Sequence, residues 1–253
     1  MSVTSLRRRA ASLWAAGAAL LLVCNAAFAQ PAPAAAPASR TVTQVTDDTE
    51  LRASSGIGAA LAEARGGPVA EGNVGGGTGM ICHEFKGGIG TASRRLPASA
   101  GGWTVGVLVQ ANYGRRGLLR IDGVPVGEEI PLSEIASPWS EERRGRADRG
   151  PGSGSIIGIV ATDAILTKAQ CTRLATAAHD GYARALVPAH TPMDGDLIFA
   201  ASTGRLPLEA PVADTLYLGH AAACVMARAI ARAIRAAKAL PGDLQPAYSH
   251  QHG

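Results

Sequence analysis

A chain of 253 residues, 47% hydrophobic and only 17% charged, is long enough for one domain or a compact pair and apolar enough to bury a sizeable core. That composition excludes a disordered protein. The 24 basic and 20 acidic side chains give a formal charge of +4, but Arg7, Arg8 and Arg9 account for most of the excess and stand in a leader, so charge alone does not argue for a nucleic-acid partner.

The leader comes first. Residues 1–29 set those arginines before an apolar run and close on Ala27-Phe28-Ala29, the order of a secretory signal with cleavage expected after Ala29. The mature chain, left with a charge of +1, is then expected in the periplasm or outside the cell. The arginine cluster also admits a twin-arginine route, and an uncleaved anchor stays open; no second apolar run is long enough to span a bilayer, so no membrane association is expected once the signal is removed.

Residues 30–55 are rich in proline and alanine and then polar, a linker with no means of burying a core. The folded domain is expected over 56–253, opening with a short helix at 56–64. Glycine then becomes dense through 71-EGNVGGGTGM-80. The run 75-GGGTG-79 lacks the Lys-Ser/Thr ending of a phosphate loop and opens no helix in a βαβ unit, so its glycines are read as sites of positive φ and close backbone approach.

Residues 103–114 have the content of a buried strand ending in the turn Asn112-Tyr113-Gly114, and 118–127 is hairpin-like. A polar, glycine-rich loop fills 132–154, a length that is usually functional or disordered. Its basic run from Arg143 to Arg149 is broken by acids and has no interleaved aromatics, which reads as a solvated loop. The strand 155–164 is nearly all apolar and hence buried on both faces, a helix follows over 166–186, then a strand at 196–203 and an alanine-rich helix at 212–239. Strands interleaved with helices predict an α/β or α+β layered domain.

Cys82, Cys171 and Cys224 are odd in number and lack CxxC spacing, so they read as small buried hydrophobes, with one disulfide still open in an oxidising compartment. No metal or organic cofactor is expected: His250 and His252 stand in a terminal tail, and Met193-Asp194-Gly195-Asp196 reads as a turn or a weak calcium-like loop.

The chemistry centres on Ser155. A serine between a pliable loop and a buried strand can attack the preceding carbonyl, break the chain at Gly154/Ser155 and become the new N-terminus. Its freed α-amine, with an ordinary pKa of about 7.7–8.0, then serves as the base that a weak hydroxyl nucleophile needs. A glycine-serine loop before a strand is common, so further residues must carry the assignment.

Four segments do so. In order, 71-EGNVGGGTGM-80 with 86-KGGIGTASR-94, 105-VGVLVQANYGRR-116, 152-GSGSIIGIVATDAILTKAQ-170 and 179-HDGYARALVPAHTPMDGDLIFAAST-203 resemble the P1 peptidase family, which includes the D-aminopeptidase/esterase and β-peptidyl aminopeptidases and, as a close branch, the nylon-oligomer endohydrolases. The 190-HTPMDGD-196 wording is similar to the nylon branch, whereas serine at the cleavage position is similar to the aminopeptidases.

The resemblance implies an αββα sandwich of the N-terminal-nucleophile type, processed at Gly154/Ser155 into an α part ending at 154 and a β part over 155–253, with processed units assembling into a homo-oligomer. It implies Ser155 as nucleophile, Asn112 as oxyanion donor, Asp194 and Asp196 as the pair that orients the nucleophile and its amine, and Lys86 as a nearby cation. Read without it, Asn112 is a turn residue and Lys86 a solvated lysine. The implied reaction is hydrolysis of amide bonds in small peptides or amino-acid amides, with 6-aminohexanoate-type oligoamides or an inert binding or assembly subunit as alternatives.

Part of the family's N-terminal region, with strands and a site tyrosine, has no counterpart, and Tyr113, Tyr182 and Tyr217 do not match that tyrosine's motif. His179 and His190 are read as structural, since the family mechanism uses no histidine base.

Overall fold

The computed structural model describes residues 64–121, 123–130, 154–192, 194–241, 243 and 245–248. The signal, the linker, the helix expected before residue 64, the basic run at 143–149, Ser153 and the terminal histidines lie outside the described residues. Pro68–Gly253 forms one compact unit.

Its centre is a four-stranded sheet in the order β3 (Gly88–Arg95), β4 (Thr104–Ala111), β5 (Ile157–Ala164) and β6 (Leu197–Leu206). The first two pairings are antiparallel and β5–β6 is parallel. A parallel pair needs a crossover, which is supplied by helix α1 (Lys168–Ala185); helix α2 (Pro211–Ala236) follows β6. A separate two-stranded hairpin, β1 (Ile81–Cys82) and β2 (Phe85–Lys86), precedes the sheet.

Pleating sorts the strands. Ala92, Val107 and Val160 share one register row, and with Val105 and Val109 they belong to the core that also holds Leu174, Tyr182, Leu218, Met226 and Ile230 of the helices. Burying each large apolar side chain there contributes about 1.5–3 kcal/mol. The opposite face is apolar too: Leu108, Ile159, Ala161 and Ala201 are all buried. Such two-sided burial is why 155–164 reads as a continuous apolar run.

Local signals set the helix starts. Thr167 accepts from the Gln170 backbone at 3.3 Å while Gln170 Oε1 accepts from the Thr167 backbone at 2.8 Å, a reciprocal cap for α1. Pro211 opens α2, where its missing N–H costs nothing.

Four expectations need adjustment. The hairpin-like 118–127 reduces to a single Ile121/Val124 pairing between two 3-10 turns, because two residues per side cannot sustain a ladder. Strand β3 was not separated from the glycine-rich motif, since Gly88 and Gly90 weaken a strand signal. None of Cys82, Cys171 and Cys224 forms a disulfide. Only Cys82 is fully buried, with its thiol pushed up to about 12 by desolvation; the other two are half-buried.

Candidate active site

From Ile157 to Thr162 the parallel β5–β6 register runs at an offset of forty residues, before a shift at Ala164: Ile157 faces Leu197, and the row continues outward to a Gly154/Asp194 bridge. That offset carries the loop before β6 alongside the start of β5. Ser155 therefore meets Gly195, and the Gly195 N–H donates to Ser155 Oγ at 3.0 Å.

Both glycines are required by closeness. A Cβ on Gly195 would lie 2.7 Å from Ser155 Oγ, and one on Gly154 would lie 2.1 Å from the Asn112 carbonyl oxygen. No side chain fits at either position.

The two carboxylates have separate duties. Asp196, whose side chain is 1% exposed, accepts from the Ile156 N–H at 3.1 Å through Oδ1 and from the His190 N–H at 3.2 Å through Oδ2. It thus grips the residue next to Ser155. Asp194 accepts through Oδ2 from the Thr191 N–H at 2.8 Å and the Thr191 hydroxyl at 2.7 Å, which leaves its buried Oδ1 without a hydrogen bond beside the Gly154/Ser155 peptide. A buried carboxylate oxygen with no donor is costly and suits a cation or proton arriving later.

Asn112 is held through its acceptor. Its Oδ1 takes the Ile81 N–H at 3.0 Å, which fixes the amide plane and leaves Nδ2 as the available donor, while the Asn112 backbone carbonyl packs against Gly154. A donor fixed by its neighbour needs no reorganisation when charge develops.

Lys86 is placed differently. Its ammonium pairs with Asp243 Oδ2 at 2.6 Å and its backbone N–H donates to Pro246, so its contacts belong to the C-terminal segment and do not include Ser155. The pairing holds the Asp243 carboxyl below its ordinary range.

Three residues outside the expected set stand in the site. Tyr113, 5% exposed, puts its hydroxyl beside Thr191 and Asp194, and a Cβ on Gly154 would touch its ring at 3.4 Å. Burial first, and the two aspartates with it, raise its pKa, so it stays a neutral donor. His190 brings Nδ1 to 3.7 Å from Asp196 Oδ2, and its ring lies 4.7 Å from that of His179, whose pKa is lowered by desolvation and then by His190. Tyr182 donates to the Leu197 carbonyl at 3.0 Å and ties α1 to the base of β6.

A signal for one of them was available: in 190-HTPMDGD-196, Thr191 and Asp194 are spaced for a local side-chain turn, and that turn presents His190. Tyr113 carries no such mark beyond following Asn112.

A layered α/β domain with a serine at the mouth of a buried strand, gripped by a parallel neighbour, is of the Ntn-hydrolase fold type. The chain belongs to peptidase family S58, whose sequence model matches residues 8–246. It is similar to the beta-peptidyl aminopeptidase BapA of Sphingosinicella microcystinivorans, 45% identical over 148 residues covering 58% of this chain and 37% of that protein. Among solved structures it is similar to a Burkholderia sp. beta-aminopeptidase, with a TM-score of 0.59, 44% identity and coverage of 74% of this chain and 52% of that one. A further neighbour is the L-aminopeptidase D-Ala-esterase/amidase of Ochrobactrum anthropi, described as a variant among the Ntn-hydrolase fold, with a TM-score of 0.56, 36% identity and coverage of 76% and 52%. The chain therefore spans between about a third and about half of the length of these relatives.

Proposed function

We propose that the protein is an exported, self-cleaving serine hydrolase of amide bonds, an aminopeptidase acting on small peptides or amino-acid amides. The observation that carries this reading is the β5–β6 offset, which sets the Ser155 hydroxyl on the Gly195 N–H between two aspartates with different hydrogen-bond duties.

In processing, Ser155 Oγ attacks the Gly154 carbonyl carbon, the peptide C–N bond breaks, and the proton passes to the departing nitrogen. The ester so formed between Gly154 and Ser155 is then hydrolysed by water. The freed α-amine lies beside the Asp194 Oδ1 that has no hydrogen bond, and deprotonated it serves as the base for the same hydroxyl in later turnovers. Asn112 Nδ2 donates to the tetrahedral oxygen, and Asp196 keeps the Ile156 backbone from drifting. Similarity to a beta-peptidyl aminopeptidase and to the Ochrobactrum L-aminopeptidase D-Ala-esterase/amidase supports amide and peptide substrates.

The test is intact-mass analysis of the purified full chain beside Ser155→Ala. Two fragments meeting at Gly154/Ser155 in the wild type, and one uncut chain in the variant, are expected. The processed protein should then release amine from N-terminal β-amino-acid peptides or amino-acid amides; turnover restricted to 6-aminohexanoate oligomers would move the substrate to the nylon class. An uncut, inert chain in both samples would overturn the reading.

A further inference from the structure

A cavity of about 600 Å³ lies away from Ser155, between α2, the end of β3 and the turn after Leu119. Six arginines line it: Arg94, Arg120, Arg184, Arg228, Arg232 and Arg235. Three of them stand at positions i, i+4 and i+7 of α2 and so share one helix face. Like charges at that spacing destabilise a helix, so the arrangement works against the helix that carries it.

Among the described residues the lining contains one acid, Glu71. Glu71 Oε1 accepts from Arg232 Nε at 3.0 Å and its Oε2 from Arg232 Nη2 at 2.5 Å, while Oε1 also takes the Thr91 N–H at 2.9 Å and the Thr91 hydroxyl. Glu71 thus neutralises Arg232, and its single charge is matched by that one guanidinium. Arg120 comes no nearer than 3.8 Å to Glu128, which is exposed and outside the lining, and Arg184 Nη1 contacts the Cys224 sulfur at 3.1 Å. Arg94, Arg228 and Arg235 form no ion pair among the described residues.

Four guanidinium charges, those of Arg94, Arg184, Arg228 and Arg235, therefore converge on a space within the size range of small-ligand sites with no carboxylate paired to them among the described residues. Guanidinium forks fit phosphate and carboxylate oxygens two at a time. No aromatic side chain lines the cavity, so it has no platform for stacking a base and is not built as a nucleic-acid track.

We propose that this cavity is a binding site for a compact anion carrying several phosphate or carboxylate groups. The site is separate from the hydrolase reading, and either can fail without the other.

Calorimetric titration of the full-length protein at physiological ionic strength tests it, with inorganic tripolyphosphate and citrate as probes. Saturable binding is expected, weakened about tenfold or more in Arg228→Gln/Arg235→Gln and unchanged in Arg173→Gln/Arg205→Gln, whose arginines lie outside the cavity. Binding of tripolyphosphate alone supports the site and marks the ligand as phosphate-bearing; binding of citrate alone marks it as a carboxylate; binding of both supports the shared chemistry. Failure of both probes to saturate, or equal weakening in the two double variants, overturns the proposal.

Thermal unfolding gives a second reading that does not need the ligand. Removing two mutually repelling charges should raise the melting temperature of Arg228→Gln/Arg235→Gln in the absence of anion. A fall would mean that the arginines serve the fold, and the proposal would be lost.

Discussion

Two clusters of buried polar groups differ in where their hydrogen bonds end. Around Ser155 they converge on one hydroxyl and leave the Asp194 Oδ1 without a donor. In the β1–β2 hairpin they run to backbone carbonyls and leave the Glu84 Oε2 without a donor: the two-residue turn puts His83 and Glu84 at φ of 51° and 63°, His83 spans the carbonyls of Arg115 at 2.9 Å and Ala185 at 3.0 Å, and the Glu84 carbonyl accepts from Arg116 and Gln245. Hairpin turns of this geometry ordinarily use Asn and Gly, so the surrounding bonds hold two unsuited residues in place. In the proposed reading the first cluster carries the reaction and the second holds the fold.

The largest expected effect breaks the first cluster at its backbone. Gly154→Val would drive a side chain into the Asn112 carbonyl, displacing the peptide that must be attacked, and processing followed by mass should fall to nothing over hours while circular dichroism stays native. Cleavage at the wild-type rate would show that the scissile peptide is not held by Asn112.

Next is Asn112→Ala. Loss of one preorganised donor should lower turnover of the processed enzyme by about 10²–10³, read as kcat with KM little changed. A change confined to KM would make Asn112 a substrate-binding amide and remove it from the oxyanion role.

Much of this contrast was legible in the sequence. Ser155 was suggested by its local setting, and Asn112 and the Asp194/Asp196 pair were reached through contiguous motifs that resemble the P1 peptidase family. The main strands and both helices were legible from periodicity, within one to three residues at most ends and with β6 running on to Leu206. Other features were not, for physical reasons. The forty-residue β5–β6 offset is a tertiary register that no spacing announces, and without it Tyr113 and His190 look like a turn residue and a surface histidine. The Lys86–Asp243 pair joins positions far apart in the chain, so a lysine beside a glycine motif gave no sign of its partner. The hairpin at 81–86 lacks every residue that marks such a turn.

The second cluster should respond in stability and not in chemistry. His83→Ala removes the ring that bridges the Arg115 and Ala185 carbonyls, leaves the Arg115 carbonyl with the Leu118 N–H alone and opens a gap against Gly114, an expected loss of about 2–4 kcal/mol in denaturant unfolding with kcat per folded molecule unchanged. A comparable fall in kcat would erase the distinction between the two regions.

The smallest effect tests His83 by pH. Desolvation, outweighing the two carbonyls and Glu84, sets the pKa of the folded state below the ordinary 6.5. Between those two values the unfolded chain binds more protons than the folded one, so stability rises with pH. The contribution is complete above about 6.5 and is lost as pH falls from there toward the lower folded value, with a slope of no more than about 1.4 kcal/mol per pH unit for a single proton. In His83→Gln that slope should flatten over the same window, measured as unfolding free energy against pH. If it persisted unchanged, another group would be responsible, and the His179/His190 pair beside Asp196 would be the next to remove, which would carry the pH response from the rigid cluster to the reactive one.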